Sequence, residues 1–187
     1  MGIKFKQTLM TPAVRRAQAQ YYAKESKAVP APERDELTAE EIDFIAARDS
    51  FYMATITENG WPYIQHRGGP KGFLKVLGPN QLGFADFRGN RQMLSTGNVN
   101  ANNRVCLFLM DYPHLERLKI LGRAQVLDAR EQPVLVDQLA PTKEVRGSVE
   151  RLFIVDVLGF DWNCSQHITQ RYTLDEFQAL ELDGRMG

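Results

Sequence analysis

Cysteine is nearly missing from this sequence. Only Cys106 and Cys164 occur among 187 residues, far apart and outside any C-x-x-C pair. That excludes a disulfide framework and points to a reducing compartment. Histidine is as scarce: His66, His114 and His167 are well separated, with none of the H-x-x-x-H or H-E-x-x-H spacings of a zinc site. No metal site is expected. An excess of either charge is missing too, since 23 basic residues balance 23 acidic ones. Neither nucleic acid nor a membrane surface is therefore an expected partner. No apolar run approaches the ~20 residues of a membrane helix. The opening stretch MGIKFKQTLM lacks the apolar core and small-residue cleavage site of a secretory signal, so a cytoplasmic protein is expected. The glycine-rich stretch at 67–72, RGGPKG, does not match the P-loop pattern. Cys164 stands three residues before His167, but closeness in sequence is poor evidence for a catalytic pair. A packed or partly exposed free thiol is the expectation.

What is present suits one domain with a real core and an appended helical segment. Thr11-Pro12 reads as an N-cap followed by proline at the first helical position. The helix it opens runs over 11–27 and would pack through Val14, Ala17 and Tyr21. Pro30-Ala31-Pro32 breaks it. Thr38-Ala39-Glu40-Glu41 is a capping box opening a second helix, with Ile42, Ile45 and Ala46 inward. Residues 1–48 are thus read as a helical segment lying on the main domain or on a second subunit, and 49–187 as the main domain.

From Ser50 the pattern turns to strands. Phe51–Thr57 and Trp61–His66 flank an Asn59-Gly60 turn and read as a hairpin. After the interruption Arg67–Gly72, Phe73–Leu77 resumes the strand pattern. Leu118–Leu127 and Arg151–Phe160 are further strands, with a short helix over 131–140 between them. Gly122, inside a strand, marks a bulge or a close backbone approach. The stretch Gln81–Asp111 is the centre of the chain. Its strand LGFADF puts Leu82, Phe84 and Asp86 on one face. Gly89 then turns, Asn90 caps a helix, and Arg91 and Gln92 sit in its first turn, where free N–H groups and a guanidinium make a phosphate seat. The helix should end near Gly97-Asn98, and Arg104–Met110 should be a fully buried strand. Six or so strands at short spacing, with few long helices between them, argue for a closed or half-closed antiparallel barrel.

The order of ATITENGWPYIQH, FLKVLGPNQLGFADFRGNRQ and NNRVCLFLMDYPHLERLKILGRAQVL resembles the FMN-binding split barrel of pyridoxamine 5′-phosphate oxidase and its relatives, over roughly residues 40–170. The resemblance implies a mostly β fold with flanking helices: a six-stranded antiparallel split β-barrel with an N-terminal helical segment. It implies FMN as cofactor, with Phe84-Ala85-Asp86 in the place of the strand end that holds the flavin. Arg91 would take the phosphate-clamping position, with Gln92 replacing a second basic residue and Asn90 beside them. Gln65, His66, Arg67 and Lys75 resemble the strand that supplies further contacts. Trp162 matches a tryptophan that reaches the flavin from the partner subunit of a homodimer. The segment that grips the vitamin phosphate in the oxidases is not reproduced: only Arg146-Gly147-Ser148 echoes it, and Gln166–Arg171 lacks the Arg-x-His element. Oxidation of pyridoxamine phosphate is therefore not expected. Two function classes follow. One is an FMN-dependent oxidoreductase acting on an unidentified small molecule, with NAD(P)H as a candidate donor and no side chain nominated as acid or base. The other is a non-catalytic protein that stores flavin or senses redox state. A pocket turned to another flavin or to haem is a third, weaker reading.

Overall fold

The computed structural model describes residues 2–23, 30–89, 91–140, 142–162 and 166–182. Its seven strands form one antiparallel sheet in the order β2-β1-β5-β6-β7-β4-β3. β1 (Ser50–Ile56) and β2 (Pro62–Gly68) make the first hairpin, and β3 (Lys75–Gly78) and β4 (Gln81–Phe87) the second. β5 (Arg104–Asp111), β6 (Glu116–Asp128) and β7 (Val149–Trp162) form the long middle. Six α-helices flank the sheet among the described residues: α1 (Ile3–Leu9), α2 (Pro12–Tyr22), α3 (Ala39–Ala46), α4 (Leu94–Ala101), α5 (Pro133–Leu139) and α6 (Leu174–Leu182). The expected six-stranded barrel is thus corrected to seven strands. Nor is it closed: among the described residues no backbone ladder joins β2 to β3 or β4.

The curled interior holds the main core. Phe51, Met53, Leu82, Phe84, Leu107, Leu109, Ile120, Phe153 and Val155 meet there, all almost without solvent contact. Phe51 stacks on Phe73 and meets Phe84 edge-on, while Phe84 stacks on Phe153 at 5.0 Å. Each such ring contributes about 2–3 kcal/mol by burial alone. β7 is buried on both faces. Phe153 and Val155 point inward, and Leu152 and Ile154 lie in a second cluster with Leu139 of α5. β5 differs from its expected full burial. It alternates, with Val105, Leu107 and Leu109 inside while Cys106, Phe108 and Met110 stay half-exposed on an outer face.

The helical segment is anchored at two points. Asp35 accepts the backbone N–H groups of Lys4 and Phe5 at 2.9 and 3.0 Å, which caps α1 and seats buried Phe5 beside β7. In α3 the capping box forms as expected, with Glu41 accepting the Thr38 N–H at 2.9 Å. Phe44 and Ile45 are its buried pair, whereas Ala46 is exposed and Ile42 only half-buried. α2 has the expected N-cap, Thr11 accepting from the Val14 N–H at 3.3 Å. It buries none of its residues, and Tyr21 is 74% exposed. Its expected packing through Val14, Ala17 and Tyr21 is therefore absent among the described residues: two tyrosines and a valine among charged and amide side chains make too thin an apolar stripe. Among the described residues no helix is long and apolar enough to cross a membrane.

Gly122 marks a register shift between β6 and β7. A Cβ there would stand 2.6 Å from Val155 Cγ1 and 2.8 Å from the Asp156 carbonyl oxygen. The backbone approach is thus closer than any side chain allows. Gly122→Ala should cost about 1–3 kcal/mol through overpacking. Urea unfolding measures it, and an unchanged midpoint would contradict the close approach.

Candidate functional site

Strand alternation decides which β2 residues enter the site. Tyr63, Gln65 and Arg67 line a cleft at the open seam of the sheet, while Ile64 and His66 face outward, exposed. Asp86 and Phe87 at the end of β4 line it from the other edge, and Arg151 of β7 lies beneath. The remaining wall is Gln92 and Met93 with the first turn of α4, Leu94, Ser95 and Thr96.

Asp86 is the centre of the cleft. Its Oδ1 accepts from Arg67 Nη1 at 2.6 Å, and its Oδ2 accepts from Nε and Nη2 of Arg151, each at 2.8 Å. Asp86 and Arg151 are cross-strand partners. Arg67 arrives from the opposite edge, its guanidinium 5.7 Å from the centroid of Phe84 and 5.1 Å from that of Phe153, a favourable cation–π placement. All three side chains are only 13–14% exposed. Arg67 Nε is buried with no hydrogen-bond partner. Arg151 also donates from Nη1 to the more exposed Glu150 at 3.1 Å. Among the residues lining the cleft two guanidiniums meet one carboxylate, and Glu150, outside the lining, shares Arg151.

α4 is held in place by polar contacts with the first hairpin. The Ser95 hydroxyl donates to Gln65 Oε1 at 2.6 Å, and Asn98 Nδ2 donates to Thr55 Oγ1 at 2.9 Å. Met93 occupies the N-cap position in a left-handed conformation, φ 59°, and its side chain makes no capping hydrogen bond. A helix start carries N–H groups without intrahelical partners, and this one, Leu94 to Thr96, lines the cleft with the two arginines. This set of donors suits an anionic group with several oxygens, such as a phosphate.

Of the residues anticipated from sequence, Gln65, Arg67, Asp86 and Gln92 come together in this cleft. The others do not. Asn90 lies outside the described residues, as does Cys164. Arg91 is exposed in the turn before α4, because the helix starts at Leu94 rather than at Arg91 and runs on to Ala101 rather than ending near Gly97. His66 faces outward with its ring 5.5 Å from that of Tyr52. Lys75 is half-buried on β3 opposite Gly83. Ala85 is buried on the other face of β4, in the cluster under α5. Trp162 stands eleven residues beyond Arg151 on β7, roughly 35 Å along the strand. Its Nε1 donates to Glu41 Oε1 at 2.6 Å, and its ring meets Phe44 edge-on at 4.8 Å. Arg151, Ser95 and Tyr63 were not anticipated. A lone arginine opening the apolar run of β7 was the one available signal for Arg151.

Other chemical groups lie apart. Among the described residues no three His, Cys, Asp or Glu side chains are grouped for a metal ion. His114 pairs with Asp111 at 2.9 Å. Burial pushes the Cys106 thiol up against the opposing pull of Lys119, which disfavours a reactive thiolate.

A family model described as pyridoxamine 5′-phosphate oxidase matches residues 37–148, more than half of the chain. The chain belongs to the pyridoxamine 5′-phosphate oxidase family. No curated protein sequence matches it. Among solved structures, HupZ of Group A Streptococcus aligns with TM-score 0.53 and 14% identity, covering 73% of this chain and 99% of that one. A Lactobacillus delbrueckii protein assigned to the pyridoxamine 5′-phosphate oxidases aligns with TM-score 0.52 and 19% identity, covering 67% and 93%. At these identities the likeness concerns the fold alone.

Trp162 leads to a test of the pH response. Burial pushes the Glu41 carboxyl up, but hydrogen bonds from the Thr38 hydroxyl, the Trp162 indole and the Thr38 N–H outweigh it and hold its pKa below the ordinary value. A carboxylate depressed on folding stabilises fully above its unfolded pKa, ~4.3 for glutamate. That contribution is lost as pH falls through the folded value. The stability gap between the protein and Glu41→Gln should therefore shrink between about pH 6 and pH 3. Denaturant unfolding at a series of pH values reads it, and a constant gap would contradict this role for Glu41.

Proposed function

We propose that this member of the family binds FMN, with the flavin phosphate seated in the Arg67–Asp86–Arg151 cleft, and serves as an oxidoreductase of a small molecule. The observation that carries the reading is the buried Arg–Asp–Arg group, two guanidiniums in one cleft beside the first turn of α4. The unpartnered Arg67 Nε marks a donor that the chain itself does not satisfy. The fit is chemical: guanidiniums, amides and hydroxyls suit a phosphate ester. Among the residues lining the cleft there is no histidine or cysteine to meet a haem iron, since His66 turns away. Arg67 and Arg151 hold the phosphate, Gln65 and Ser95 fix its approach, and exposed Arg91 at the rim supplies a further guanidinium. Bound FMN would supply hydride or electron transfer. No side chain of the chain is assigned as acid or base.

The phosphate is the point to test. Arg67→Gln and Arg91→Ala should each weaken FMN by roughly ten- to a hundredfold, the worth of a charge-assisted contact of ~1.5–3 kcal/mol. Riboflavin, which lacks the phosphate, should be indifferent. Flavin fluorescence titration separates the two ligands, and equal losses for both would overturn the phosphate assignment. Rapid bleaching of the bound flavin by NAD(P)H supports the oxidoreductase. Very slow bleaching favours flavin storage or redox sensing.

The same reading includes a homodimer in the cytoplasm. Its support is the outer face of the β2-β1-β5 sheet, where Ile64 lies beside Ala54 and Cys106, and Tyr52 beside Phe108. Tyr52 and Ile64 are 42% and 64% exposed, an apolar surface that a second copy would cover. Trp162 would reach the flavin only from that second copy. Light scattering should give about twice the 21.3 kDa chain mass. A stable FMN-loaded monomer would contradict it.

A further inference from the structure

We propose that Asp86 sets the charge of the cleft and thereby holds its affinity for a doubly charged phosphate monoester down, so that the ligand exchanges rather than staying resident. This rests on the phosphate reading of the cleft and deepens it. Among the residues that line the cleft, Asp86 is the one carboxylate, facing two guanidiniums. It occupies the best donors of both: Arg67 Nη1 at 2.6 Å and the Nε and Nη2 pair of Arg151 at 2.8 Å. A phosphate entering the cleft meets the arginines already engaged by an internal anion. It also meets that anion's charge within a half-buried site, where screening is weak.

The arrangement has two consequences. Without ligand, Asp86 keeps two like-charged guanidiniums side by side and the seam of the sheet drawn together. With ligand, the same carboxylate repels the phosphate while the arginines attract it. Neutralising it should change two observables in opposite directions. The ligand-free fold loses stability because Arg67 loses its ion-pair partner and Arg151 keeps only the more exposed Glu150. The phosphate ligand gains affinity because a like charge is removed from its site. A carboxylate with only a scaffolding role gives the first change without the second.

The experiment compares FMN and riboflavin by fluorescence titration in the full-length protein, Asp86→Asn and Asp86→Glu, with denaturant unfolding of each. In Asp86→Asn, FMN should bind about tenfold or more tightly, riboflavin should be unchanged, and the ligand-free midpoint should fall. Asp86→Glu, which keeps the charge, should stay near the parent. Should Asp86→Asn not fold in dilute buffer, the same titrations are run on it and on the parent in sucrose, which favours the compact state. The gain in FMN affinity over the parent should again be about tenfold or more. A folded Asp86→Asn with equal or weaker FMN affinity than the parent overturns the proposal. The reading beneath it fails differently: the parent protein itself would then show no preference for FMN over riboflavin.

Discussion

The bridge from Arg67 to Asp86 is the constraint on which the rest of the fold depends. β2 and β4 lie near the two ends of the strand order and share no backbone ladder, yet the sheet curls until the side chains of these strands meet at 2.6 Å. Inside that curl the Phe51, Phe73, Phe84 and Phe153 rings supply the apolar driving force, and Arg67 lies across the Phe84–Phe153 stack. Burial of the rings is favourable without any ion. The ions are not favourable in the same sense: each buried charge loses several kcal/mol of hydration, and apolar replacements of such triads are often neutral or more stable by about 1–4 kcal/mol. A seam meant only for stability would be apolar. The charged seam is the fold's departure from its own stability optimum, which is how binding sites commonly differ from cores.

Much of this architecture was legible in the sequence because it rests on local pattern. All seven strands coincide with β-prone runs, although the spacing of those runs suggested six or so. The Thr38–Glu41 capping box and the Thr11 cap are short-range signals and read directly. The start of α4 misled because Asn90 offered a local cap, while the helix is set by tertiary bonds. Ser95 to Gln65 and Asn98 to Thr55 span 30 and 43 residues, and such contacts override local preference. The same reason hid Arg151, whose partner Asp86 is 65 residues away. Asp86 was legible on a strand face, whereas Arg67 was assigned to the interruption after the hairpin and singled out only by the family resemblance; it lies on β2. The pairing of the two was not legible.

The two ends of β7 carry different tasks, and that separation orders the rest of the molecule. At its start, Arg151 joins the charged cleft. At its far end, Trp162 is locked by Glu41 and Phe44 of α3, so the N-terminal segment fixes the indole rather than merely covering the sheet. Arg48, just beyond α3, strengthens this anchor by pairing with buried Asp111 at 2.5 Å while donating to the Phe44 and Met110 carbonyls. A rigid indole roughly 35 Å along the strand from the cleft cannot serve the same ligand within one chain. Under the proposed two-fold pairing it serves the site of the other copy, and the helical segment then becomes part of that site's support. The exposed apolar face of β1, β2 and β5 lies across β6 from β7 in the strand order. It is where such a pairing would bury surface at least cost, since its backbone is already paired and only side chains need to meet.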